Sequence, residues 1–143
     1  MASDPPVLRA RVRRRFCAAA SLRRPEWSDE RNREVYGVCA GLHGHGHDWI
    51  LTVEVEGPVD PETGLVMDFA RLAALVDERV VAAVDHRHLN HDVDFLTGIV
   101  PTAENLVLAF WRRLEPELPV GVRLASLELE EGEGFAVRRE VAS

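Results

Sequence analysis

Residues 47–56 read HDWILTVEVE. Branched and aromatic side chains dominate the run, and its second half alternates apolar with polar, the pattern of a strand with one face on a core. Downstream, GPVDPETG at 57–64 is turn chemistry, in which Gly, Pro and Asp supply the dihedrals of a reversal. Asp68 then caps an amphipathic helix with Phe69, Leu72, Val76, Val80 and Ala83 at helical spacing. Residues 85–101 form a connector, polar at its start. A second helix begins near Thr102 and places Glu104 in its first turn, where the helix dipole favours an acid. Leu106, Phe110, Trp111 and Leu114 give it an apolar side, and Pro116 and Pro119 end it. Two further strands, 122–130 and 134–140, are predicted to close the chain as a hairpin around Glu131–Gly134.

Upstream, residues 7–20 (VLRARVRRRFCAAA) alternate early between apolar and basic, which predicts another strand. On it Arg9, Arg11, Arg13 and Arg15 share one face and Arg14 takes the other. A solvated strand face accounts for them; a phosphate-attracting or subunit-contacting patch is the alternative. Residues 21–44 are irregular, with a short helix capped by Ser28 or Asp29, running through Tyr36 and closed by Gly37. The order β-β-α-α-β-β predicts an α+β fold: a four-stranded antiparallel sheet with two antiparallel helices on one face. Its open edges favour association with neighbours.

The 143 residues suit one domain, 1–143. No apolar run approaches the ~20 residues that span a bilayer. MASDPPVLRARVRRRF lacks the apolar stretch of a secretory signal, so the cytoplasm is the expected compartment. A net charge of −7 argues against nucleic acid or an anionic membrane as partner. Two cysteines are too few for a disulfide framework in a chain of this size.

The chemistry concentrates in a few places. His43, His45 and His47 alternate with Gly44 and Gly46 just before the strongest strand. Neighbouring members stand ~6.6 Å apart along a strand and can reach one metal, whereas His43 and His47, ~13 Å apart, converge only if the glycines bend the chain. Cys39 approaches the same strand among glycines, and reads as either a reactive thiol or a structural one. Cys17, inside the apolar FCAAA run, reads as a buried structural cysteine. Asp85–His86 is either a carboxylate-oriented imidazole suited to proton transfer or ordinary helix C-terminal chemistry. Glu130 ends a strand among Glu128, Glu131 and Glu133, where a carboxylate can take two parallel N–H bonds from a planar heterocycle or simply face solvent.

Six stretches carry a resemblance: SDERNREVYGVC (28–39), GHGHDW (44–49), VEGPVDPETGLVMDF (55–69), VDHRHLN (84–90), PTAENLVLAFW (101–111) and LPVGV (118–122). In order and spacing they resemble the 6-pyruvoyl-tetrahydropterin synthase/6-carboxytetrahydropterin synthase family from about Arg15 to Glu140. The resemblance implies the tunnelling fold, in which subunits join their sheets into barrels, usually as hexamers. It implies a pterin-processing lyase or synthase acting on a dihydroneopterin-triphosphate-like substrate, with Cys39, Asp85 and His86 moving protons. Glu130 matches the acid that anchors the pterin ring, and Thr102 and Glu104 fall in a motif lining the same pocket. Family sites form between subunits, which would bring Cys39 and Glu130 to one pocket from different chains. His45 and His47 match two of three zinc-binding histidines. Ala20 stands where the third would be, and Ser21 where the family has arginine, so the zinc set is one ligand short. A member with a weakened metal site catalysing a different lyase or cyclisation reaction, or a non-catalytic pterin-binding oligomer, are the alternatives.

Overall fold

The computed structural model describes residues 3–132 and 134–142. Two long strands, β1 (Val7–Ala20) and β2 (His45–Pro58), pair antiparallel along their whole length, from Val7 opposite Pro58 to Ala20 opposite His45. The predicted alternation holds. Ala10, Phe16, Ala18 and Ala20 of β1 and Trp49, Leu51, Val53 and Val55 of β2 are buried on one face. Phe16 stacks on Trp49 at 6.0 Å between ring centroids. Arg14 shares that face and reaches out to Asp77 at 2.9 Å. Arg9, Arg11, Arg13 and Arg15 project from the other face, where Arg9 meets Glu56 and Glu140.

Short helix α1 (Asp29–Tyr36) is capped by the Ser28 hydroxyl, which accepts from the Arg31 amide. Its Asn32 is fully buried and clips the preceding loop by bonding both Arg24 backbone groups. Helix α2 (Phe69–Val76) starts at the Asp68 cap, passes through a π turn (Asp77–Val81) and ends in α3 (Ala82–Val84). The buried row is Leu72, Val76, Val80 and Val84. Phe69, expected on this face, is 70% exposed, and Val84 rather than Ala83 completes the row. A strict four-residue period drifts ~40° per step on an α-helix; the wider π turn takes up part of that drift and keeps the row on the sheet. Helix α4 (Ala103–Leu114) is capped by Thr102 and buries Leu106, Val107, Phe110, Trp111 and Leu114.

Strands β4 (Arg123–Glu131) and β5 (Ala136–Glu140) complete the hairpin; Glu133 of its predicted turn lies outside the described residues. The sheet has five strands, not four, in the order β3-β1-β2-β4-β5. The extra one, β3 (Arg87–His88), lies parallel to β1 at Ala18 and Ala19 inside the predicted connector. Two residues are too few to show any periodicity. Because β3 covers only the end of β1, the outer edge of β1 from Val7 towards Phe16 has no strand beside it among the described residues.

Candidate active site

Cys39, His45, His47, Asp85 and His86 lie near the Ala20–His45 end of the β1–β2 ladder. The chain leaves β1 through Ser21, held by Asn90, which accepts from the Ser21 amide and donates to its carbonyl, both at 2.8 Å. The Ser21 hydroxyl donates to the Gly41 carbonyl, and the Leu22 amide donates to the Cys39 carbonyl at 2.7 Å. These bonds set the 3-10 turn Gly37–Ala40, and Cys39 with it, against the head of β2. Gly44 is needed there: it has φ +71°, and a Cβ would lie 2.6 Å from the Ala20 carbonyl oxygen.

Two groups form, one on each face of the sheet. On the core face, Cys39 Sγ lies 3.9 Å from His45 Nε2. The His45 and His47 rings meet edge to face at 4.6 Å, and the His47 ring meets Trp49 at 5.6 Å. His47 Nε2 in turn lies 3.0 Å from a Glu131 carboxylate oxygen. Glu131 was not anticipated. It belongs to β4, one residue beyond the predicted strand end, and pairs with Trp49, so alternation puts it on the face of Leu127 and Leu129.

On the opposite face, Asp85 Oδ1 lies 3.0 Å from His86 Nδ1 and accepts the Cys17 amide at 2.9 Å. The His86 amide donates to the Cys17 carbonyl at 2.6 Å. The Cys17 amide holds the Asp85 carboxyl below its ordinary range, with His86 contributing. His86 has φ +58°, an uncommon conformation for a non-glycine residue and a form of strain that clusters at functional sites. Cys17 is not the buried structural residue expected from its apolar neighbours. It is half-exposed, and its thiol donates to Asp48 at 2.9 Å, a bond that raises the thiol's pKa. With Asp48, His86 and His88 it lines a cleft of about 510 Å³.

Glu130 projects from this second face, beside Ile50 and 3.9 Å from Arg13. Thr102 acts as the cap of α4, and Glu104 stands exposed in its first turn. Within one chain, then, Cys39 meets His45, whose ring meets His47, Asp85 meets His86, and Glu130 lies on the other face of the sheet from Cys39.

The donor set does not fit a three-histidine zinc site. Position 20 carries a buried methyl directly opposite His45. His45 Nε2 faces a thiol and His47 Nε2 faces a carboxylate. Among the described residues no three His, Cys, Asp or Glu side chains are grouped so as to hold a metal ion. His43 does not complete the set; it lines a separate cleft with Arg23, Asp29 and Arg33.

Comparison with known proteins agrees with this architecture. A family model described as 6-pyruvoyl tetrahydropterin synthase matches residues 9–140. The 6-pyruvoyl tetrahydrobiopterin synthase of Homo sapiens is 39% identical over 115 residues, 79% of each chain. A dihydroneopterin monophosphate aldolase from Pyrococcus furiosus is 36% identical over 135 residues, 93% of this chain and 99% of its own. The solved structure of Caenorhabditis elegans 6-pyruvoyl tetrahydropterin synthase superposes with a TM-score of 0.87 at 31% identity, covering 96% of this chain and 98% of that one. The α+β sheet, its helices and the matched length together show that this chain has the tunnelling fold and belongs to the 6-pyruvoyl tetrahydropterin synthase family.

Proposed function

We propose that this family lyase processes a dihydroneopterin-triphosphate-like pterin, with Cys39, Asp85 and His86 handling protons and Glu130 anchoring the ring. The observation that carries the reading is a pair of side-chain contacts at one end of the sheet: Cys39 with His45, and Asp85 with His86. Cleaving a C–O or C–C bond beside a polarised carbon needs one group to take a proton and another to return it, and a thiol and a carboxylate-oriented imidazole suit those tasks. Glu130 can offer both oxygens to adjacent N–H groups of a pterin once it leaves the exposed Arg13, a weak contact.

The same reading includes a hexamer with sites between subunits. The uncovered edge of β1 offers backbone groups for strand pairing, and Val38 and Leu42, on either side of Cys39, are 92% and 70% exposed. No helix among the described residues is long and apolar enough to cross a membrane, and we place the enzyme in the cytoplasm.

The aldolase relative and the methyl at position 20 favour a second reading, carbon–carbon cleavage of a dihydroneopterin phosphate. Mass analysis of products from dihydroneopterin triphosphate and monophosphate distinguishes the two. Loss of triphosphate with the pterin side chain retained supports the first; release of a two-carbon fragment supports the second. No conversion and no binding of either compound would overturn both.

A further inference from the structure

We infer that Glu131 is a positioning residue of this site. It holds His47 through Nε2, so that the two imidazoles serve as separately partnered hydrogen-bonding groups, Cys39–His45 and His47–Glu131, and not as a zinc clamp. The inference deepens the proposed function and rests on it for the location of the reacting pocket.

Several observations converge on it. Glu131 pairs with Trp49, and His47 precedes Trp49 by two residues on the same face, so the carboxylate and the ring are diagonal neighbours across the β2–β4 ladder. Their side chains are 26% and 30% exposed, against 65% for Arg13 in its contact with Glu130. The His47–Glu131 contact is therefore the better shielded of the two. Trp49 and His45 pack edge-on against the His47 ring from two sides. With Glu131 at Nε2, the ring is fixed in both place and orientation.

A zinc ion on three imidazoles needs three nitrogen lone pairs converging at ~2.0–2.1 Å. Here the nitrogen of His47 faces an anion, that of His45 faces a thiol, and position 20 supplies only a methyl. The chain thus has one imidazole fewer than such a site requires and one carboxylate more beside it. A carboxylate next to an imidazole selects the tautomer with its proton on the facing nitrogen. The expected form of neutral His47 has the proton on Nε2 and leaves Nδ1 to accept.

The test uses the full-length protein and three readouts: zinc content with and without chelator washing, the tautomer of His47 by long-range ¹H–¹⁵N correlation, and kcat and KM on the converted pterin. Wild type should carry less than a tenth of an equivalent of zinc after mild chelation, turn over unchanged in chelator, and show His47 protonated at Nε2 when neutral. Glu131→Gln should lower kcat at least tenfold with KM within about threefold, and shift the His47 tautomer signal. Glu131→Asp, which keeps the carboxylate, should restore part of both. One chelator-resistant zinc per chain in the wild type, lost in Glu131→Gln, would overturn the inference and make Glu131 a ligand. Glu131→Gln with an unchanged His47 spectrum would overturn it too. Metal content and tautomer are read without substrate, so this inference and the pterin reading fail independently.

Discussion

Asp85→Asn separates two tasks that the fold gives one carboxylate. Oδ1 accepts the Cys17 amide at 2.9 Å and faces His86 Nδ1 at 3.0 Å. An asparagine oxygen can still accept the amide, so the backbone contact survives while the charge facing His86 is lost. Hydrogen bonds to a charged group contribute ~1.5–3 kcal/mol and neutral ones ~0.5–1.5, so the exchange costs about 1 kcal/mol. The side chain is 38% exposed, which places the value at or below that figure. Asp85→Ala, by contrast, leaves the Cys17 amide without its partner and costs a further ~1–3 kcal/mol. If the Asp85–His86 pair moves protons, both variants should lose ~10²–10⁴-fold in kcat. The expected signature of Asp85→Asn is therefore near-native stability in urea with turnover largely gone. Acid supplies a second check. The folded protein holds the Asp85 carboxyl below its ordinary value, so the stability this gives is present above the ordinary carboxylate range and is lost as pH falls through the lowered folded value. The stability gap between wild type and Asp85→Asn should close at that end. Wild-type kcat in Asp85→Asn would refute the assigned role, and a gap unchanged in strong acid would refute the electrostatic part of the reasoning.

Glu130→Gln keeps the side-chain shape and loses the charge that favours paired N–H donors, worth ~1.5–3 kcal/mol; pterin affinity in calorimetry should drop roughly ten- to a hundredfold, and unchanged affinity would place the ring elsewhere. The Cys17 thiol, raised in pKa by its bond to Asp48, should react with iodoacetamide at pH 8 more slowly than an unpaired cysteine, and Asp48→Asn should speed it up. Labelling followed by peptide mass spectrometry reads this directly, and a free-thiol rate in the wild type would show that the bond does not persist in solution. Light scattering should give six times the 16.0 kDa chain mass, and a monomer at micromolar concentration would remove the shared-site proposal.

The long elements were legible because their patterns are long. The early alternation in β1 puts Arg9, Arg11, Arg13 and Arg15 on one face and Arg14 on the other, and the helix caps at Asp68 and Thr102 stand where the sequence starts those helices. What escaped notice was short or one residue off. The two residues of β3 carry no pattern, and Glu131 lies one position past the predicted strand end, which hid a carboxylate on the imidazole face. The apolar neighbours of Cys17 suggest burial, but alternation buries 16, 18 and 20 and turns 17 outward, and that rule, carried two residues past Arg15, places it correctly. The contacts of Cys17 with Asp48 and Asp85 join residues 31 and 68 positions apart, which no local pattern reveals.

The central claim is that this chain converts a reduced pterin with Cys39 as a proton-transfer residue. The direct measurement is single-turnover conversion of dihydroneopterin triphosphate by wild type and Cys39→Ala, alongside calorimetric binding of the same compound. The account predicts a changed pterin product from the wild type. Cys39→Ala should bind with largely unchanged affinity and convert at least ~10²-fold more slowly. Full conversion by Cys39→Ala, or neither binding nor conversion by the wild type, would contradict it.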